Sequence, residues 1–164
     1  MKMKILLAAN AITLVSMIAW ATPSSGTLFN NILNIARTSG TLQSNVGGEA
    51  ADGSKWHFQL KTEGAPTDIA VQDLAIAPGG YGGWHSHPGP VFITVKEGTM
   101  SLYESDCVRR EYPAGTAFII EGGVIHNERN ESATENLRLL DTFILPAGAP
   151  RRIEHPQPST CDLP

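Results

Sequence analysis

From Trp56 to Leu145 the chain is cut into short runs rich in β-branched and aromatic residues, with Gly, Pro, Asn or Asp recurring about every eight to twelve residues. No sustained 3.6-residue periodicity survives such punctuation, so the stretch can only be built from short strands. The fold class is therefore all-β, a sandwich or a barrel. The predicted strands are Lys55–Lys61, Asp68–Ala77, Trp84–His87, Val91–Lys96, Thr99–Glu104, Val108–Tyr112, Ala117–Ile120, Val124–Asn130 and Asn136–Leu145. Leu28–Ala36 stays open between helix and strand: Leu28, Ile32 and Ile35 suit one period, Leu33 with Ile35 the other. The 164 residues show no internal repeat and no low-complexity segment.

Met1-Lys2-Met3-Lys4 is a short positive stretch, Ile5 to Ile18 is mostly apolar, and Ala19-Trp20-Ala21 fits a small-x-small cleavage site. This pattern reads as a secretory signal peptide over residues 1–21. A retained span is disfavoured, because the apolar run is near 15 residues where about 20 are needed, and Asn10 and Thr13 interrupt it. After cleavage no membrane association is expected, and the protein is expected in a periplasm or secreted. Without Lys2 and Lys4, the 12 basic residues fall to 10 against 16 acidic ones, a formal charge of −6. Such a surface repels a phosphate backbone, so nucleic acid is excluded as a partner. What remains is the size of one domain, with a core that needs neither metal nor disulfide to form.

Two cysteines, Cys107 and Cys161, remain for an oxidising compartment, and a disulfide is the expected outcome. It would hold the tail around Pro156-Gln157-Pro158 against the body.

Of the five histidines, three sit in patterned places. His85 and His87 are two apart in a predicted strand, so both rings project to one face. His126 follows the Gly122-Gly123 turn on a later strand that could bring a third imidazole to the first two. A His-x-His pair with one distant His is an ordinary way to build a three-nitrogen metal site. The pair fits a polar strand face or a hydrogen-bonded core pair equally well. Glu128 follows His126 by two and Asn130 by four, so alternation turns them toward the same interior. Glu128 is thus the candidate general base or outer partner, against the alternative of a glutamate exposed at a rim. Asn130 reads as a structural amide. Trp84 and Phe92 alternate to the opposite face, for packing. Tyr81 and Tyr103 are weaker candidates for a cavity mouth. His57 and His155 fit no pattern, and Glu121 reads as a solvated turn residue.

Gly79, five residues, His85-x-His87 and Gly98 resemble the first motif of the cupin superfamily. Gly115, five residues, Glu121-x-Gly123, two residues, His126, three residues and Asn130 resemble the second. With the run Trp84-His-Ser-His-Pro-Gly-Pro90, the chain is similar to small single-domain secreted cupins. The resemblance implies a double-stranded antiparallel β-barrel (jelly roll) over residues 55–155, preceded by an N-terminal extension (22–54) and followed by a tail (156–164). It also implies metal ligands at His85, His87 and His126. Two positions depart from the motifs: the acidic ligand of the first falls on Val91, and the proline of the second on Glu121. The implied site is a three-His centre with positions free for water, substrate or dioxygen, similar to that of thiol dioxygenases.

The resemblance further implies a divalent transition metal (Fe, Zn, Mn, Ni or Cu, with Fe favoured for an oxygenase) and a small-molecule substrate or ligand. Family barrels often pair through sheet edges, so a homodimer is a further expectation. Two functions stay open: a metal-dependent enzyme, foremost of oxygenase type, and a noncatalytic module that holds a metal or small ligand.

Overall fold

The computed structural model describes residues 21–64 and 66–163. Residues 1–21, expected to be a signal peptide, lie outside them apart from Ala21. The described residues form twelve strands and no helix. They are β1 (Ser25–Arg37), β2 (Gln43–Glu49), β3 (Lys55–Lys61), β4 (Thr67–Tyr81), β5 (His85–Ser86), β6 (Val91–Glu97), β7 (Thr99–Glu104), β8 (Arg110–Pro113), β9 (Ala117–Ile120), β10 (His126–Arg129), β11 (Leu137–Pro146) and β12 (Ile153–Glu154).

Ten strands make one antiparallel sheet that curls into a nearly closed barrel. Its order is β12-β5-β10-β4-β11-β6-β9, with β1 added to β4 and β7 bridging β10 and β8. β2 and β3 form a separate hairpin. The long β4 organises the barrel, pairing with β11 from Thr67 to Ile76 and with β1 over nearly the same residues.

Period-two alternation decides what fills the interior. Val91, Ile93 and Val95 of β6 and Leu137, Leu139, Phe143 and Leu145 of β11 are buried, and they pack with Leu74, Ile76, Met100, Leu102 and Ile120 in one cluster. A second, smaller cluster joins Trp84 to Tyr103 and Cys161. Trp84 therefore packs away from the histidines, as alternation requires. The disulfide Cys107–Cys161 is formed, with a Cα–Cα separation of 5.5 Å, and it fixes the tail against this cluster.

Several strands differ from the sequence reading. Leu28–Ala36 is strand throughout, because an open edge of β4 supplies backbone partners that no local preference could reveal. β4 runs on through Gly79-Gly80 to Tyr81, beyond the predicted end at Ala77: Gly79 N–H and Asn130 N–H pair with the carbonyls of Asn130 and Gly80, which holds this segment in the strand although Gly79 takes a positive φ of 73°. β5 and β10 are shorter than Trp84–His87 and Val124–Asn130. β1 and β2 both lie within residues 22–54, and the hairpin of β2 with β3 crosses from residue 49 to residue 55.

Pro88-Gly89-Pro90 brings the chain down onto β11. A β-carbon on Gly89 would stand 2.0 Å from the Ile144 carbonyl oxygen, so only glycine permits this crossing, which starts β6 in register beside the histidines.

Candidate metal centre

His85 lies in β5 and His126 opens β10, and the two are direct cross-strand partners. Their ring centroids are 4.2 Å apart. His87, beyond Ser86, completes a triangle with centroid separations of 4.8 Å to His85 and 5.1 Å to His126. One nitrogen from each ring lies within 4.8 Å of the others. The turn before His126 is tied to the same place, since Gly123 N–H donates to the His87 carbonyl at 2.8 Å. All three imidazoles are buried.

Each ring is held by a backbone carbonyl. The Nδ1 atoms of His85, His126 and His87 lie 2.9, 2.9 and 2.5 Å from the carbonyl oxygens of Gly83, Val124 and Arg151. A carbonyl only accepts, so each Nδ1 carries its proton and donates, and each neutral ring keeps its lone pair on Nε2. Burial reinforces neutrality. It lowers the pKa of all three, to about 3 for His85, where the Arg152 charge adds to the effect, and to about 3 for His126, where repulsion between protonated His126 and His85 rings would add to it. Three neutral imidazoles with Nδ1–H fixed by outer hydrogen bonds are a donor set suited to a divalent transition metal.

The histidines line a cavity of about 410 Å³ with Glu128, Asp141, Arg151 and Arg152, against apolar walls from Leu74, Ile93, Met100, Leu139 and Phe143. Glu128 is buried rather than rim-exposed. Its Oε2 lies 3.6 Å from His85 Nδ1 and accepts no hydrogen bond among the described residues. The carboxylate rests directly on Gly82, where a β-carbon would stand 2.0 Å from Oε1.

Val91, at the position of the motif's acid, is buried in the apolar cluster and contributes a wall rather than a ligand. Asn130 is structural, donating to the carbonyls of Ile76 at 2.9 Å and Glu135 at 2.8 Å. Tyr81 and Tyr103 do not line the cavity: Tyr81 lies under the Arg129 guanidinium, and Tyr103 donates to Glu131 at 2.7 Å. His57 is exposed and pairs with Asn45, His155 pairs with Ser86 Oγ, and Glu121 is exposed.

Sequence reasoning missed three contributors. Asp141 points inward from β11 and Gln72 from β4, paired across the strands. Gln72 Nε2 donates to Asp141 Oδ2 at 3.1 Å. Burial, followed by the nearby Glu128 charge, pushes Asp141 up to about 7. Alternation along Leu137, Leu139, Asp141, Phe143 and Leu145 was the signal that could have exposed it. Arg151 comes from the loop after β11 and had no such signal. β12 brings that loop across the histidines by pairing with β5, Glu154 opposite His85.

The family model for the cupin domain matches residues 73–143. The chain is similar to a protein with a double-stranded beta-helix domain from Klebsiella pneumoniae, at 18% identity over 73% of this chain and 81% of that one, with a TM-score of 0.48. It is similar to a cupin-like protein from Thermotoga maritima, at 19% identity over 57% and 79%, with a TM-score of 0.48. It is also similar to the polyketide cyclase RemF from Streptomyces resistomycificus, at 22% identity over 56% and 65%, with a TM-score of 0.46. No curated protein matches it. With both histidine motifs inside the matched residues and the barrel built around them, residues 73–143 are a cupin domain.

Proposed function

We propose that this chain is an exported, metal-dependent cupin enzyme acting on a small molecule, with oxygenase chemistry foremost. The observation that carries the reading is the triad itself: three buried imidazoles, each with Nδ1–H committed to a backbone carbonyl and Nε2 left to bind. His85, His87 and His126 would hold the ion. When bound, a divalent transition metal supplies Lewis-acid polarisation of a ligand oxygen and, if it is iron, redox capacity toward dioxygen.

The chain's own residues do the rest. The apolar side of the cavity holds an apolar substrate body against the triad. Glu128, with Oε2 free of donors among the described residues, accepts a proton from the substrate or holds a polar group in place. Gly82 leaves the room that the carboxylate needs. The disulfide fits an oxidising compartment, which supports periplasmic or secreted location.

A second reading, a noncatalytic binding module, is favoured by Val91, which puts a buried alkyl group where the motif has an acid. Metal analysis of protein purified without chelator, combined with an oxygen electrode and a panel of small phenols and thiols, separates the two. Stoichiometric iron with oxygen uptake supports the enzyme; zinc, or no metal, with no turnover supports the module. Val91→Glu should tighten metal retention by restoring a carboxylate at the motif position.

A further inference from the structure

We propose that Asp141 is the second polar anchor of the cavity, a specificity-determining residue that receives the hydroxyl of a small and otherwise apolar, phenol-like ligand. The proposal rests on the reading of this cavity as a small-molecule site. It deepens that reading by naming the ligand class.

The inward row of β11 is apolar except for this residue, with Leu139 before it and Phe143 after it. A carboxyl group in such a row costs stability unless each of its oxygens finds a partner. Only one does so. Arg151 Nη1 donates to Gln72 Oε1, which turns the Gln72 amide so that Nε2 faces Asp141 and donates to Oδ2. Asp141 lines the cavity, and its Oδ1 is buried with no hydrogen-bond partner among the described residues. Two side chains thus hold one oxygen and leave the other without a partner.

The surroundings select the class of occupant. The cavity, about 410 Å³, exceeds the roughly 150 Å³ that suffices for a benzene ring. Leu74, Ile93, Met100, Leu139 and Phe143 form one apolar side of a lining that is otherwise largely polar, and the body of the ligand packs against that side. Arg151 and Arg152 line the same space, and a metal in the triad would add positive charge, which disfavours an ammonium group. Glu128 and Asp141 together disfavour a carboxylate. A neutral hydroxyl satisfies Oδ1 without adding charge. Arg151 also links the two ends, because its carbonyl accepts from His87 Nδ1 while its guanidinium fixes Gln72.

Matched pairs test this. Phenol, 4-ethylphenol and 2-naphthol are each compared with the corresponding methyl ether by calorimetry and ligand-observed NMR. The full mature chain is used, both stripped of metal and metal-loaded. At least one phenol should bind about tenfold more tightly than its ether, in stripped as in loaded protein. Asp141→Leu should reduce that preference to within about twofold. Asp141→Asn keeps the volume and should also lose the preference: its oxygen will face Gln72 Nε2, leaving an N–H donor toward the cavity. If no pair distinguishes hydroxyl from methoxy, or if the preference survives in a folded Asp141 variant, the proposal is overturned. Metal content, measured on the same samples, judges the triad separately. A wild type that neither retains nor takes up a divalent transition metal, yet keeps an Asp141-dependent preference, supports this anchor while contradicting the metal reading.

Discussion

Replacing Asp141 by Asn should stabilise the protein at neutral and alkaline pH and do little at pH 4. The buried carboxyl is raised from its ordinary value of 3.8 to about 7, first by desolvation and then by the Glu128 charge, with Asp73 adding and Arg151 and the Gln72 hydrogen bond opposing. A folded-state pKa above the unfolded one means that stability is fully present below about pH 4 and is lost as pH rises through 7. Each unit is worth roughly 1.4 kcal/mol, so a shift of about three units amounts to about 4 kcal/mol above pH 7. Asn is neutral throughout and nearly isosteric, so the variant escapes this loss. Urea unfolding of chelator-treated protein at half-unit intervals from pH 4 to 8, followed by circular dichroism, gives the difference in unfolding free energy. Common contributions, including those of the histidines, cancel in that difference. It should grow by roughly 1.4 kcal/mol per pH unit across the window. A difference that stays flat with pH would refute the assignment of Asp141 as a buried, desolvated carboxyl.

Three further outcomes follow from the same geometry. Gly82→Ala places a β-carbon against Glu128 and should displace that carboxylate, removing turnover while leaving metal content unchanged; loss of metal instead would mean that the substitution disturbs β5. Removing the Cys107–Cys161 bridge, by reduction or by a double Ser variant, should cost about 4 kcal/mol of stability for a loop of 54 residues, read by urea titration, and unaltered stability would show that the tail needs no covalent tie. In the metal-free Asp141→Asn background, stability should fall as pH drops from 6.5 toward 3. The folded state holds His85 and His126 neutral to about pH 3, whereas the unfolded chain gains protons earlier, and a flat acid profile would contradict their burial.

How much of this was legible in the sequence depends on whether a feature is set locally or by its partners. Thr99–Glu104 and Ala117–Ile120 match their strands end to end, because turn residues bound them on both sides. Val108–Tyr112 was placed too early: Cys107 takes a positive φ of 59° within a turn and delays β8 to Arg110. β12, two residues long, exists only through its pairing with β5, and Ile153-Glu154 carry no signal of their own. β1 resisted assignment because its apolar residues stay largely on the surface, with Leu28, Leu33 and Ile35 more than half exposed, so no buried face imposed a clean period. The three histidines were legible through spacing, and Glu128 through alternation from His126. Asp141 and Gln72 obey the same alternation, but their significance depends on a cross-strand pairing that a single strand does not announce.

The central claim is that three neutral imidazoles from two separate chain segments hold one metal ion. Its most direct test is elemental analysis of the wild-type protein and His126→Ala, both purified without chelator, with circular dichroism confirming the fold of each. The expected result is close to one transition-metal ion per chain in the wild type and essentially none in the variant. Equal metal in the two proteins, or a wild type that neither retains nor takes up a divalent transition metal, would contradict the account.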